Sequence, residues 1–309
     1  MKRKMSKEKI KKMRDIPFER LLASGTAMCA GCGALEALHQ IYDILGKNTV
    51  FVNAAGCMTL LSVYPFTPFR GSWLYTSMAS APAAAQGIRD ALDILIEKKR
   101  IKPKDNMQVV VLAGDGSSYG MGLSAASAAI ERNLDFIYIC YDNEGYGNTG
   151  QQYSDATPHA ARTSTSKSLT GFQYYKKDIF AIWAAHKPAY AATIIGSDPL
   201  DLAKKVEKAK NMKGAKLILA LSPCPTGWTF HSNETVKIGK LAVETGIWPL
   251  KEYADGKIVH TKIPRERKPV EEYLKIQGRF KHLFEPQRND KLIAEIQNEV
   301  DKYWGHYNH

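Results

Sequence analysis

Absences bound this chain before any motif is considered. Its 309 residues contain no apolar run near the roughly 18–20 residues that cross a bilayer, so no membrane span is expected. The opening MKRKMSKEKIKKMRD is basic, but no apolar core follows it, so it is not expected to be a secretory leader. There is no internal repeat and no low-complexity segment, which sets aside solenoid and linker architectures. Basic side chains are not interleaved with aromatic ones as on RNA-binding surfaces, so nucleic acid is a poor reading of the net charge of +12. Cysteine is scarce and odd in number: Cys29, Cys32, Cys57, Cys140 and Cys224. With no leader, that count points to a reducing, cytoplasmic compartment, and to metal or cluster chemistry over disulfides.

What remains is an ordinary globular composition, 44% hydrophobic and 24% charged, at a length that suits one large or two small domains. Positive charge gathers at the two ends, residues 1–14 and 257–281, and the centre is close to neutral. An acidic protein partner fits that distribution.

The chain is organised around residues 109–150. VVVLA at 109–113 is too short for a helix and rich in β-branched side chains, which predicts a buried strand. Gly114-Asp115-Gly116 breaks it. Residues 120–132 predict a helix, 136–141 a second strand, and the polar, glycine-rich DNEGYGNTG of 142–150 follows. The polar residues therefore lie at the carboxyl ends of two strands, where open α/β sheets bind ligands. Asp115 places a carboxylate in a tight turn, and Asn143 places a side-chain amide at the next strand end. Hard oxygens of this kind suit Mg²⁺ shared with phosphate oxygens. The glycines let backbone N–H groups approach a diphosphate.

Cys29-Ala-Gly-Cys32-Gly precedes a predicted helix over 34–45, as either a redox pair or half of a metal or cluster site. Cys57 follows a predicted strand at 50–53, and Cys224 follows one at 217–222, each beside Gly or Pro. Cys140 lies inside an apolar run and reads as a buried free thiol. Four cysteines can therefore converge. Four thiolates suit a [4Fe–4S] cluster, and a Cys₄ zinc site is the competing reading, although the second Cys-x-x-Cys usual in zinc knuckles is missing.

Gly114-Asp115-Gly116, the spacer 117–142 and then Asn143 resemble the thiamine-diphosphate motif. That resemblance implies Mg²⁺ held by Asp115, the Asn143 side chain and the Gly145 carbonyl. With the four cysteines, and with YDNEGYGNTG, Ala156-Thr157-Pro158 and PCPTGW at 223–228, the chain resembles the β subunits of the 2-oxoacid:ferredoxin oxidoreductases, the pyruvate enzyme above all. The resemblance covers about residues 22–228. It implies an α/β thiamine-diphosphate-binding fold, a mostly parallel sheet flanked by helices, with a C-terminal arm. It implies cluster ligation by Cys29, Cys32, Cys57 and Cys224, and a cofactor pocket of Gly56, Gly114, Asp115, Gly116, Ser117, Asn143, Gly145, Tyr146 and Thr149. Asn148 would stand beside the thiazolium and substrate. The family's chemistry oxidatively decarboxylates a small 2-oxoacid, pyruvate by default, with coenzyme A as acyl acceptor. Electrons arise in pairs but ferredoxin takes them singly, so a cluster belongs in the same chain. Oxalate oxidation to two CO₂, without coenzyme A, is the alternative. A non-redox decarboxylase subunit with structural zinc, or a cluster-bearing scaffold, ranks lower.

Where many relatives carry Phe-Glu-Asn-Ala after a Trp and a His, this chain has Tyr75, Ala79 and Ser80. Ser117 stands where Gly is frequent. These departures bear on the substrate more than on the chemistry. Only the diphosphate-binding half of a thiamine site is legible, so an α-type subunit is expected to bring the Glu for the aminopyrimidine. A ferredoxin-like subunit and an acidic ferredoxin are the other expected partners. The chain divides into a basic arm (1–21), the cofactor domain (22–250) and a C-terminal extension (251–309). Residues 151–168 read as a polar loop over the site, 189–195 as a strand, 198–210, 234–245 and 290–303 as helices, and 257–281 as an extended arm. His159 and His231 read as satisfied loop residues.

Overall fold

Apolar runs at 109–113, 136–141 and 217–222 have no polar face to give to water. Each becomes an interior strand of one sheet. The computed structural model describes residues 9–103, 106–166, 168 and 170–307. Its strands are β1 (Thr49–Ala54), β2 (Ser72–Thr76), β3 (Gln108–Gly114), β4 (Phe136–Asp142), β5 (Tyr190–Ile195), β6 (Ala215–Leu221), β7 (Leu250–Ala254) and β8 (Lys257–Lys262). They form one eight-stranded sheet in the order β2-β1-β3-β4-β6-β5-β7-β8. The first six run parallel, and β7 and β8 are antiparallel.

Side chains alternate between two buried faces, as the period of a strand requires. Val109, Val111 and Ala113, with Phe136, Tyr138 and Cys140, point to one core; Val110, Leu112, Ile137, Ile139 and Tyr141 point to the other. Helices α1 (Gly33–Leu45) and α5 (Pro199–Asn211) pack together on the second face. The first face is covered by α2 (Ala81–Glu97), α3 (Leu123–Glu131), α4 (Ile179–Ala185), α7 (Thr235–Glu244), α8 (Val270–Lys275) and α9 (Asp290–Gly305). A single-turn helix, α6 (Pro225–Trp228), follows β6.

Register sets the site. Asn53 of β1 pairs with Leu112, Gly114 with Tyr141, and Asp142 with Leu221. Four parallel strands thus end at one level, with Cys57, Asp115, Asn143 and Cys224 one to three residues beyond. The chain also runs from β1 outward to β2 and returns to β3, so strand order reverses where a crevice opens.

Two expectations need correction. The helix expected over 120–132 begins as a wide π turn at Gly116–Met121 before α3, a device common at functional sites. The segment 257–281 is no extended arm: it supplies β8, α8 and a 3₁₀ turn at Gly278–Leu283. Its strand looked polar because β8 is an exposed edge that uses its backbone on β7. In the basic arm, residues 1–8 lie outside the described residues. Residues 9–21 are fastened: the Lys9 and Ile10 N–H groups donate to Glu207 (3.2 and 3.0 Å) and the Leu21 N–H to Asp43 (3.0 Å). Cys140 is buried and unpaired, as expected.

The tail is part of the core. Trp304 is 1% exposed and donates from Nε1 to the Gly246 carbonyl at 2.9 Å. Trp304→Ala is expected to remove about 3–5 kcal/mol of stability, read by denaturant unfolding. A loss under about 1 kcal/mol, the scale of a surface change, would mean that the tail is peripheral.

Candidate active site

The carboxyl ends of β1, β3 and β4 enclose a cavity of about 190 Å³. Every residue expected around the diphosphate lines it except Ser117, together with Cys57 and the exposed Asn148. Ser117 is fully buried, and its hydroxyl donates to the Met78 carbonyl. Tyr75 and Met78 form the wall nearest β2. Ala79 and Ser80 do not line it; the Ser80 hydroxyl bonds Ser77 (2.8 Å) and Thr76 at the start of α2. A larger cavity, about 250 Å³, lies under the tail and contains neither Asp115 nor any cysteine.

The Asn143 carboxamide stands at the centre. One end lies 2.7 Å from Asp115 Oδ1 and 2.8 Å from the Gly145 carbonyl oxygen. With its nitrogen there, the amide donates to both. With its oxygen there, three oxygens converge, and a cation between them is what holds such a group together. Mg²⁺ with oxygens at about 2.0–2.1 Å places neighbouring ligands about 2.9 Å apart, so the donor set fits.

The surrounding charges make the same point. Asp142 and Glu144 flank Asn143 and are both buried. Lys176 Nζ bridges them at 2.6 and 2.9 Å, and Arg279 reaches Glu144 at 2.6 Å. Tyr119 donates to Asp142 at 2.6 Å. Burial and its carboxylate neighbour Glu144 keep Asp142 above the usual range despite Lys176. Burial would raise Glu144 too, but Lys176 and Arg279 bring it below normal. Two negative and two positive groups cancel. Asp115, 1% exposed, is left with the Ser154 hydroxyl as its hydrogen-bond donor. Burial first, and then Asp142, push its pKa well up. A desolvated carboxylate that makes no ion pair favours a cation beside it.

The four cysteines gather around this corner. The Gly33 N–H donates to the Pro223 carbonyl at 3.1 Å, tying the Cys29–Cys32 turn to the Cys224 loop. The Thr235 hydroxyl donates to the Gly31 carbonyl at 2.6 Å. Cys224 caps α6, accepting from the Gly227 N–H at 3.3 Å. Burial pushes Cys57 up to about 12 and Cys32 to about 11; Cys224, Cys29 and, for Cys57, Cys32 add to the rise. Thiols so held become thiolates only beside strong positive charge. Among the described residues no three His, Cys, Asp or Glu side chains close on a single ion.

Residues 54–220 match the family model of the thiamine pyrophosphate enzyme C-terminal TPP-binding domain. The pyruvate synthase subunit PorB of Methanothermobacter thermautotrophicus is 45% identical over 93% of this chain and 96% of its own length. This chain belongs to the β subunits of the 2-oxoacid:ferredoxin oxidoreductases. The PorB subunit of Thermotoga maritima is 38% identical (92% of this chain, 90% of its own). The ketoisovalerate oxidoreductase subunit VorB of Pyrococcus horikoshii is also 38% identical (89% and 90%). A solved 2-oxoglutarate:ferredoxin oxidoreductase from Magnetococcus marinus shares the fold, with a TM-score of 0.55 at 23% identity over 72% of this chain and 70% of that one.

Several residues of this β subunit's site escape sequence reasoning. Lys176, Arg279 and Ser154 carry no local motif and arrive from the 151–178 loop and the tail. Trp228, inside the Cys224 stretch, donates from Nε1 to the Asn143 carbonyl at 2.8 Å, and its ring faces the Arg279 guanidinium at 3.9 Å. His159 stacks on Tyr175 and its Nε2 faces Glu295 at 3.4 Å, but its Nδ1 is buried without a hydrogen-bond partner among the described residues, so it is only partly satisfied.

Two substitutions separate the roles of these charges. Arg279→Met leaves Lys176 as the one cation shared by buried Asp142 and Glu144 and is expected to cost about 3 kcal/mol. Asp115→Asn removes the surplus charge and is expected to raise the thermal stability of the cofactor-free chain, while abolishing the stabilisation gained from Mg²⁺ with thiamine diphosphate. Thermal melts with and without the ligands check both; a less stable cofactor-free Asp115→Asn would contradict the charge balance.

Proposed function

We propose that this chain is the diphosphate- and cluster-holding half of a pyruvate:ferredoxin oxidoreductase. The convergence of Asp115, Asn143 and Gly145 oxygens around a corner lacking a countercharge carries the reading. Asp115 and Asn143 hold Mg²⁺ by their side chains and Gly145 by its carbonyl. The glycine-lined wall admits the diphosphate. When bound, thiamine diphosphate adds to the 2-oxoacid carbonyl and takes up the electrons left by decarboxylation.

The chain's own residues orient that chemistry. Asn148, exposed on the cavity rim, would stand beside the reacting end. Cys29, Cys32, Cys57 and Cys224 supply four thiolates to a [4Fe–4S] cluster, and loading releases the protons that burial retains on Cys32 and Cys57. Asp115 is the one carboxylate on the cavity wall among the described residues, and it serves the cation. The aminopyrimidine therefore takes its Glu from an α-type subunit. A ferredoxin-like subunit and an acidic ferredoxin accept the electrons, the latter drawn by the net charge of +12. No helix of the described residues is long and apolar enough to cross a membrane, and we place the complex in the cytoplasm.

Relatives named for pyruvate and ketoisovalerate support a small aliphatic 2-oxoacid as substrate; coenzyme A is the acyl acceptor we propose. Oxalate draws less support, because Ala79 and Ser80 stand off the cavity wall.

The anaerobic complex is expected to contain thiamine diphosphate and at least about four irons for each copy of this chain, the ferredoxin-like subunit adding its own. It should reduce methyl viologen with pyruvate only when coenzyme A is present. Activity with oxalate alone would replace the substrate, and absence of both iron and thiamine would overturn the reading.

A further inference from the structure

The Asn143 amide faces two sites. Its oxygen position is the cation corner, 2.7 and 2.8 Å from Asp115 Oδ1 and the Gly145 carbonyl. Its other end, with Nδ2 there, is 3.8 Å from Cys57 Sγ. A planar carboxamide cannot satisfy both sides alike. With no cation, nitrogen toward Asp115 and Gly145 makes two hydrogen bonds and leaves the carbonyl oxygen against the sulfur. With a cation in the corner the oxygen must turn inward, and the N–H group then faces Cys57. Trp228 holds the Asn143 main-chain carbonyl at 2.8 Å, so the choice is confined to the side chain.

Room for the contact is made by Gly147. A Cβ there would lie 2.6 Å from Asn143 Nδ2 and 3.2 Å from Cys57 Sγ. Gly147 is not among the residues of positive φ, so close approach and not backbone freedom explains the glycine.

We infer that Asn143 couples the two cofactor sites: binding of Mg²⁺ with thiamine diphosphate turns its N–H onto the Cys57 sulfur and thereby raises the reduction potential of the cluster. The inference rests on the function proposed above. An N–H donor to a ligating sulfur stabilises the more negative, reduced cluster. The cluster thus becomes the better electron acceptor only when the cofactor that delivers electrons is seated.

The test uses the whole anaerobic complex with ¹⁵N-labelled asparagine. The cluster potential is measured by EPR-monitored titration, with and without Mg²⁺ and thiamine diphosphate, and ¹⁵N coupling to the reduced cluster by pulsed EPR. In the wild type, loading is expected to shift the potential upward and to bring in a ¹⁵N coupling. Asn143→Asp keeps an oxygen for the cation but has no N–H, and should lose both effects with iron retained. Gly147→Ala removes no cation ligand and crowds the Nδ2 end of the amide away from Cys57, so it should lose both as well, with retained binding of Mg²⁺ and thiamine diphosphate checked by thermal melts; it decides the matter if the Asp variant fails to fold. A wild-type complex without iron or thiamine would overturn the function proposed above. One that holds both, with a potential indifferent to loading or equally shifted in Gly147→Ala, would overturn this inference alone.

Discussion

Everything near the active site depends on a charge balance that closes one group short. Asp142, Glu144, Lys176 and Arg279 pair with one another behind Asn143, and among the described residues none of them forms an ion pair with Asp115, which Lys176 reaches only through space. Burying four charges is tolerable only because each is both paired and hydrogen-bonded. The surplus carboxylate is then a stored electrostatic demand, pointed at the place where two further oxygens converge. The unbalanced charge at Asp115 is therefore a property of the scaffold and not of the Gly-Asp-Gly turn alone.

That balance also explains the use of the tail. The parallel sheet brings Asp115 and Asn143 to one level, but no strand end carries a cation for Glu144. Arg279 comes from beyond the antiparallel hairpin, is clamped over Trp228, and reaches a carboxylate 135 positions earlier in the chain. Trp228 in turn belongs to the turn of helix that Cys224 begins. The Cys224 turn, the Asn143 loop and the tail share one indole ring.

What was legible in the sequence was local. Gly114-Asp115-Gly116, Asn143 and the apolar strands announce themselves over a few residues, because turn chemistry and strand periodicity are short-range effects. The separate cysteine turns declared themselves by their glycine and proline neighbours. Lys176 and Arg279 could not be read in that way: their roles come from pairings fixed by tertiary packing, and along the chain each is one basic residue among many. Strand β8 hid for a related reason, since an edge strand exposed on both faces has the composition of a loop. Ser117 had the right position but turns its hydroxyl to Met78, a side-chain direction that the wide turn after β3 determines.

The two edges of the sheet are unlike. Strand β8 ends in Lys257 and Lys262, charged side chains that discourage another strand from pairing. Strand β2 carries Leu74 and Tyr75, 42% and 53% exposed, and the loop before it adds Tyr64 and Phe66, more exposed still. Its outer backbone groups have no neighbouring strand. Made without its companion subunits, the polypeptide therefore has one self-adhesive border, and its solubility, as much as its chemistry, is a property of the assembly.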